Sequence, residues 1–272
     1  MSSRAVQPNR SGADPENVST QWDAGSHKAL KIELLIVLGL SLGKSGVYAI
    51  VNLIDKMTRA PLGSQTTSLN NTLNQREYFD LTYQLLDIFF TLVPVMLVLY
   101  LLWRLPGGDP FARLGFNLKK PFGDLGWGSG LFLTMGLGTL GVYAVGRALG
   151  MTTVIVPAAL DDYWWTVPVL IFSAIRHGIL EEVIVVGYLF ERLARLGWVT
   201  WQIIVASAVL RGSYHLYQGF GPFIGNVAMG VVFGYVYSKR GRVMPLVIAH
   251  AFLDIAGFVG YALLGPAIGL GS

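Results

Sequence analysis

Long apolar runs separated by short polar segments make up the chain from Leu30 onwards. A helix that crosses a bilayer needs about 20 mainly apolar residues, and seven runs meet or nearly meet that length. They cover approximately Leu30–Ile54, Leu81–Trp103, Leu125–Leu149, Trp164–Val186, Trp198–Tyr217, Gly221–Ser238 and Val243–Leu264. The fourth run is expected to continue as a helix towards Leu196. The pattern predicts an all-α, polytopic transmembrane helix bundle of about seven spans, which forms one domain over residues 28–268.

Composition supports a membrane protein. The chain is 53% hydrophobic and 13% charged, whereas about 25% of the residues of a soluble domain are charged. It contains no cysteine, which excludes disulfides and thiolate-bound metals. We therefore expect a multi-pass protein of the cell membrane, in contact with membrane lipid.

The basic residues orient these spans. The net charge of +4 does not indicate nucleic-acid binding, because most Lys and Arg residues lie in segments between the apolar runs. Cytoplasmic loops carry an excess of Lys and Arg. With the N-terminus inside, only Lys56, Arg59 and Arg76 fall in outer segments. The polar stretch 1–27 is then predicted to be a disordered cytoplasmic tail.

Ionisable residues within the later runs are the candidates for chemistry. Glu181 and Glu182 are adjacent in the fourth run, about one turn after Arg176. His215 lies in the fifth run, four residues after Arg211. In the seventh run His250 precedes Asp254 by four residues. Each charged group costs roughly 2.5 kcal/mol or more at the centre of an inserted helix, so such groups mark a functional site by default.

Each of these groups has a functional and a structural interpretation. A carboxylate among apolar side chains can act as a general base, but the glutamates could also form a buried ion pair with Arg176 or Arg211. A histidine in a span can be a simple interhelical hydrogen-bonding group. Asp254 could orient the His250 imidazole, or the two could form a polar patch on one helix face.

Helix rise predicts the depths of these groups. Glu181 lies about 21 Å above the turn near Arg195, and His215 about 26 Å above Trp198, so the two reach similar depths. His250 lies only about 11 Å above Val243, which places it too low unless the sixth run is short, tilted or starts deeper. The histidine is therefore expected to be the least well aligned member of the set.

The set permits two mechanisms. Glu181, His215 and His250 could bind zinc with an open position for water. Alternatively, a glutamate and one histidine activate water without a metal, and the second histidine stabilises the oxyanion. The His-Glu-x-x-His spacing of many zinc proteases is absent, so no cofactor is assigned and zinc remains the alternative.

The order of these motifs resembles that of the CAAX-protease and bacteriocin-processing family (CPBP, also called Abi), the Rce1-like intramembrane endopeptidases. The resemblance covers about Trp164 to Leu264 and rests on Glu-Glu in one span, a histidine in the next and His-x-x-x-Asn/Asp in a later one. It implies that Glu181 activates water with help from His215, and that Glu182 supports them. His250 and Asp254 would line the oxyanion side.

Two positions depart from the family pattern. Val186 replaces the arginine of Glu-Glu-x-x-x-Arg, and Arg211 replaces the phenylalanine of Phe-x-x-x-His. We hypothesise that Arg211 supplies the positive charge that is lost at Val186 by reaching a carboxylate of the fourth span.

The leading functional prediction is an intramembrane endopeptidase that hydrolyses a peptide bond of a membrane-associated protein or peptide. The first alternative is a non-catalytic family member that acts as a membrane binding or immunity protein. The second is a proton-coupled transporter, which the absence of repeated halves disfavours. No nucleic-acid partner is expected.

Overall fold

A computed structural model describes residues 15–265, with side chains from residue 27 onwards. The chain is mainly helical. The α-helices are α1 (Pro15–Gly39), α2 (Leu42–Arg59), α3 (Glu77–Thr91), α4 (Val93–Trp103), α5 (Pro110–Leu114), α6 (Pro121–Ala148), α7 (Thr166–Glu181), α8 (Leu189–Arg195), α9 (Thr200–Ser213), α10 (Phe220–Arg240) and α11 (Met244–Leu264). A π-helix (Glu182–Tyr188) joins α7 to α8, short 3₁₀ turns cover Leu62–Ser64 and Leu216–Gln218, and two strands are β1 (Thr66–Asn71) and β2 (Val154–Ala159).

Among the described residues, fewer helices than predicted are long and apolar enough to cross a membrane. Four qualify, namely Glu77–Trp103, α6, α10 and α11, and the bent pair His27–Gly39 and α2 could supply a fifth. Helix α9 has 14 residues, fewer than the about 20 that a span needs. Helix α7 continues through the π-helix into α8 as one helical segment over residues 166–195, which is not among these four. A helical membrane bundle fits these data, but the prediction of seven spans is not confirmed.

Helix α1 begins at Pro15, so its first turns fall inside the segment predicted to be a disordered tail. The rest of that prediction, over residues 1–14, lies outside the described residues. The inside location of the N-terminus remains a prediction.

The π-helix lies at the centre of the hydrophobic core. Val183, Ile184, Val185 and Val186 have no exposed surface, and the core cluster around them draws on most of the long helices. The outer faces of the bundle are apolar, as at Leu137 and Leu140 on α6. Apolar residues on both sides of a helix are expected where one side faces protein and the other faces lipid.

Glycines let two helix pairs approach closely. A Cβ atom on Gly178 of α7 would lie 3.0 Å from the Val247 carbonyl oxygen and 3.2 Å from the Ala251 nitrogen, both on α11. A Cβ on Gly230 of α10 would lie 2.7 Å from Cα of Ala208 on α9. Small residues at helix crossings of this kind are typical of membrane bundles.

The start of α11 is held inside the bundle. The Val243 amide donates to the Leu114 carbonyl at 2.9 Å, and the Met244 amide donates to the Gly115 carbonyl at 3.3 Å. A Cβ on Gly187 would lie 3.1 Å from a Val243 methyl group. Residue 243 is therefore level with Gly187, well above the end of α8.

A two-stranded parallel sheet joins the segments before α3 and after α6. Thr66 pairs with Val154 and Asn71 with Ala159. The Thr153 amide next to β2 donates to the Gln218 carbonyl at 3.1 Å, which ties the sheet to the turn that carries His215. The all-α prediction lacked this sheet, because six-residue strands rich in Thr and Asn give no clear alternation of apolar and polar residues.

Candidate active site

Glu181 is the last residue of α7, and Glu182 is the first of the π-helix. Single-turn π segments inside α-helices are frequent at functional sites. Glu182 has no exposed surface, whereas Glu181 is 6% exposed. The two carboxylates thus have different environments, as expected for neighbours that point about 100° apart.

The Glu182 carboxylate binds two partners through one oxygen. Its Oε1 accepts a hydrogen bond from Arg211 Nη2 at 2.5 Å and lies 2.7 Å from Nδ1 of His250. Since an ionised carboxylate only accepts, Nδ1 of His250 carries a proton and donates it. Glu182 therefore links the π-helix to α9 and α11.

Glu181 presents its Oε2 atom to four groups. The Tyr214 hydroxyl donates to it at 2.6 Å, and Arg211 Nη1 lies 3.4 Å away. Nε2 of His215 and Nε2 of His250 each lie 4.0 Å from the same oxygen. The direct bonds fix the carboxylate, while the two imidazoles remain beyond direct hydrogen-bond distance.

His215 lies in the turn between α9, which ends at Ser213, and the 3₁₀ turn at Leu216. The Gln218 amide nitrogen lies 3.4 Å from Nδ1 of His215. Because that nitrogen only donates, Nδ1 accepts and the ring proton is on Nε2. Nε2 is buried and has no hydrogen-bond partner in the part of the chain that the structure describes.

Glu181 and His215 lie at the same depth, as helix rise predicted. The prediction that His250 is too low is wrong. It assumed that α11 starts level with Arg195, whereas Val243 is level with Gly187. Glu181 to Gly187 and Val243 to His250 then span about 9 and 11 Å, which brings the two side chains together.

The predicted pairing of His250 with Asp254 is looser than expected. Nε2 of His250 lies 3.8 Å from Asp254 Oδ2, which exceeds a normal hydrogen bond. The nearer partner of Asp254 is His177, whose Nδ1 lies 3.2 Å from the same oxygen.

Arg176 does not reach the glutamates. It pairs with Asp87 of α3 and lies 2.6 Å from Nε2 of His177. Arg211 is the arginine that contacts both carboxylates, at 2.5 Å and 3.4 Å, and it is fully buried. The contact required by the compensation hypothesis is therefore present.

The residues proposed as metal ligands do not fit a metal ion well. No group of three or more His, Asp or Glu residues in the described chain is arranged to hold one. Zinc binds histidine nitrogen and carboxylate oxygen at about 2.0–2.2 Å, so the 4.0 Å separations would have to shrink. In addition, the Arg211 guanidinium would repel a dication there.

Neither of two surface cavities reaches these residues. One, of about 380 Å³, is lined by residues between Leu99 and Phe111. The other, of about 330 Å³, is lined by α6 residues such as Trp127 and Leu131. Neither cavity is lined by Glu181, His215 or His250.

Comparison with protein families agrees with the motif pattern. Residues 163–256 match the family model described as "Type II CAAX prenyl endopeptidase Rce1-like". The resemblance to the Rce1-like family is confirmed. This Rce1-like segment contains both glutamates, His215, His250 and Asp254, and it supports the fold of a CAAX-type intramembrane protease. No curated protein and no solved structure matches the chain.

Sequence reasoning assigned no role to three residues that the structure brings to this region. Tyr214 bonds Glu181, His177 contacts Asp254, and Asp87 pairs with Arg176. Asp87 carried a usable signal, because it is an isolated acid within an apolar run. Tyr214 carried none beyond its place next to His215, since tyrosines are common in membrane helices.

Proposed function

We propose that the protein is an intramembrane endopeptidase that hydrolyses a peptide bond of a membrane-associated protein or peptide. The observation that carries the proposal is the position of Glu181 Oε2, 4.0 Å from Nε2 of both His215 and His250. All three residues lie within the Rce1-like segment, and members of the family that it matches are usually proteases.

The spacing suits a water molecule. Two atoms 4.0 Å apart can each bond one oxygen at about 2.8 Å when the bonds meet at roughly 90°. A water held in this way accepts a hydrogen bond from Nε2 of His215 and donates one to Glu181. Its remaining lone pair is then free to attack a carbonyl carbon.

Hydrolysis follows from these positions. The water oxygen bonds to the peptide carbon, and Glu181 takes the water proton as general base. The carbonyl oxygen becomes an oxyanion, which His250, protonated on both ring nitrogens, stabilises by donating from Nε2. As the carbon–nitrogen bond breaks, Glu181 returns the proton to the departing amine.

Glu182 and Arg211 support this arrangement. Glu182 accepts a hydrogen bond from Nδ1 of His250 and so sets the direction of Nε2. Arg211 carries a fixed positive charge beside both carboxylates, which offsets the cost of burying two negative groups next to each other. No step goes through a metal ion.

The substrate belongs to the membrane, because the groups that would cleave it lie within a bundle of apolar helices. We place the protein in the cell membrane as a multi-pass protein. The matched family is described as a CAAX prenyl endopeptidase, so peptides with and without a prenyl group are the first pair of substrates to compare.

The test uses purified protein in liposomes and a library of quenched fluorescent peptides, prenylated and unprenylated. We expect cleavage by the unaltered protein, and Glu181→Gln and His215→Ala should reduce kcat about 10²–10⁴-fold. Glu191→Gln is the matched control, because Glu191 is a partly exposed acid of the same segment that pairs with Arg113 and Arg195.

Two results would contradict the proposal. One is the absence of cleavage of every peptide by folded protein. The other is cleavage that survives both Glu181→Gln and His215→Ala. A pH-sensitive dye inside the same liposomes detects proton flux, which would favour the transporter.

A further inference from the structure

A second series of polar residues leads from α3 to the candidate active site. Asp87 pairs with Arg176, and Arg176 Nη2 lies 2.6 Å from Nε2 of His177. Nδ1 of His177 lies 3.2 Å from Asp254 Oδ2, and that oxygen lies 3.8 Å from Nε2 of His250. The series therefore ends at the ring nitrogen that faces Glu181.

The direction of the hydrogen bonds follows from the chemistry of arginine. A guanidinium has donors and no acceptor, so Nε2 of His177 must accept from Arg176. The ring proton is then on Nδ1, which donates to Asp254. Arg176 thus selects the tautomer of His177, and His177 in turn makes Asp254 an acceptor.

Arg176 is itself held in a fixed direction. Nη1 binds the Asp87 carboxylate and lies 3.2 Å from the Thr91 hydroxyl, while Nη2 lies 3.2 Å from the Ser173 hydroxyl. The arginine is only 8% exposed. A buried cation with this many partners has little freedom to turn away from His177.

His177 is also fixed by packing. Its ring lies edge-on to Phe258 of α11, with the ring centroids 5.8 Å apart. Phe258 is buried in the small apolar cluster of Leu170 and Ala174. The bond from Arg176 and the packing against Phe258 therefore hold the imidazole in the orientation that directs Nδ1 at Asp254.

We propose that His177 is a positioning residue that acts on His250 through Asp254, with Arg176 fixing its tautomer. The inference deepens the proposed function and rests on it. It changes one role that the family resemblance implied: Asp254 accepts a hydrogen bond from His177 and attracts the His250 ring by its charge across 3.8 Å, while the donor to the oxyanion is Nε2 of His250.

The first test separates positioning from folding. His177→Leu should lower kcat about 10–100-fold, as is usual for groups that orient a reacting histidine, and leave KM within about twofold. His177→Asn should recover most of the loss, because its amide can donate to Asp254 and accept from Arg176. His27→Ala, at an exposed histidine, is the matched control.

The second test measures whether His177 works through Asp254. In a double-mutant cycle, His177→Leu should lower kcat further by less than threefold once Asp254→Ala is present. Size-exclusion profiles identify the folded protein for each variant. Additive losses in the cycle, or no recovery with His177→Asn, would overturn the inference.

A third test does not depend on turnover. The chain has four histidines, so ¹⁵N-histidine labelling with one variant per histidine assigns each ring. His177 should be neutral with its proton on Nδ1, and a proton on Nε2 or on both nitrogens would overturn the inference. If the unaltered protein cleaves and needs Glu181 but tolerates His177→Leu, the inference fails and the proposed function stands.

Discussion

Nη2 of Arg211 lies 2.5 Å from Oε1 of Glu182, and neither side chain has any exposed surface. This pair is the central contact of the polar region, since the same guanidinium also reaches Glu181 at 3.4 Å. A buried ion pair of this kind adds little net stability, but removing one partner leaves an uncompensated charge.

The first prediction concerns charge compensation. Arg211→Phe alone should destabilise the protein by about 3–5 kcal/mol, because two buried carboxylates lose their cation. Val186→Arg alone should also destabilise it, since Val186 has no exposed surface. The double variant restores the family pattern and should recover both thermal stability and cleavage.

Thermal unfolding and peptide cleavage are measured for the two single variants and the double variant. Arg104→Phe, at an exposed arginine, controls for the loss of a positive charge. A double variant no better than the worse single one would show that Arg211 does not replace the missing arginine.

The second prediction concerns Tyr214. Tyr214→Phe removes a 2.6 Å hydrogen bond to Glu181. A bond to a charged group contributes about 1.5–3 kcal/mol, so we expect kcat to fall about 10–100-fold at unchanged KM, because the base loses its fixed direction. Tyr100→Phe, at an exposed tyrosine, should have no effect, and equal activity of the two variants would refute the role given to Tyr214.

The third prediction concerns the crossing of α7 and α11. Gly178→Ala places a methyl group 3.0 Å from the Val247 carbonyl oxygen. Backbone cannot move aside as a side chain can, so we expect a loss of about 1–3 kcal/mol in the free energy of unfolding. Activity should fall as well, because the crossing sets the distance between Glu182 and His250.

Gly138→Ala in α6 is the control for this prediction, since nothing lies within 4 Å of a Cβ at that position. Alanine also favours helix over glycine by about 1 kcal/mol, so this variant should be at least as stable as the original. Both are compared by thermal unfolding in the same detergent. A Gly178→Ala variant that gains stability would mean that the helices separate easily.

The fourth prediction concerns metal ions. Because the carboxylate and the imidazoles are spaced for a water molecule and lie next to Arg211, cleavage should persist after dialysis against EDTA or phenanthroline. Elemental analysis of the dialysed protein confirms that zinc is removed. Loss of cleavage on dialysis and its return with added zinc would reverse this assignment.

The sequence predicted more of the candidate site than of its surroundings. The similar depth of Glu181 and His215 followed from helix rise alone, because both count from the same turn between α8 and α9. The depth of His250 did not follow, because it depends on backbone bonds from Leu114 and Gly115 to the start of α11. Such contacts join segments far apart in the chain and leave no periodic signal.

Arg176 and Arg211 show the same limit. Arg176 lies near the glutamates along the chain, and Arg211 lies in the next apolar run. Only the folded structure shows that Arg211 contacts the glutamates while Arg176 pairs with Asp87. Helix periodicity indicates on which face of its own helix a side chain lies, but its partner on another helix depends on the angle at which the two helices cross.

The π-helix has a consequence for how the two ends of this long helix are joined. On one side of it Glu181 meets the histidines, and on the other Arg192 pairs with Glu33 at 2.7 Å. A π-helix bonds residue i to residue i+5 instead of i+4, so each of its turns holds more residues than a turn of α-helix. The number of residues within 182–188 therefore sets the direction in which Arg192 points towards Glu33 when Glu181 faces the histidines.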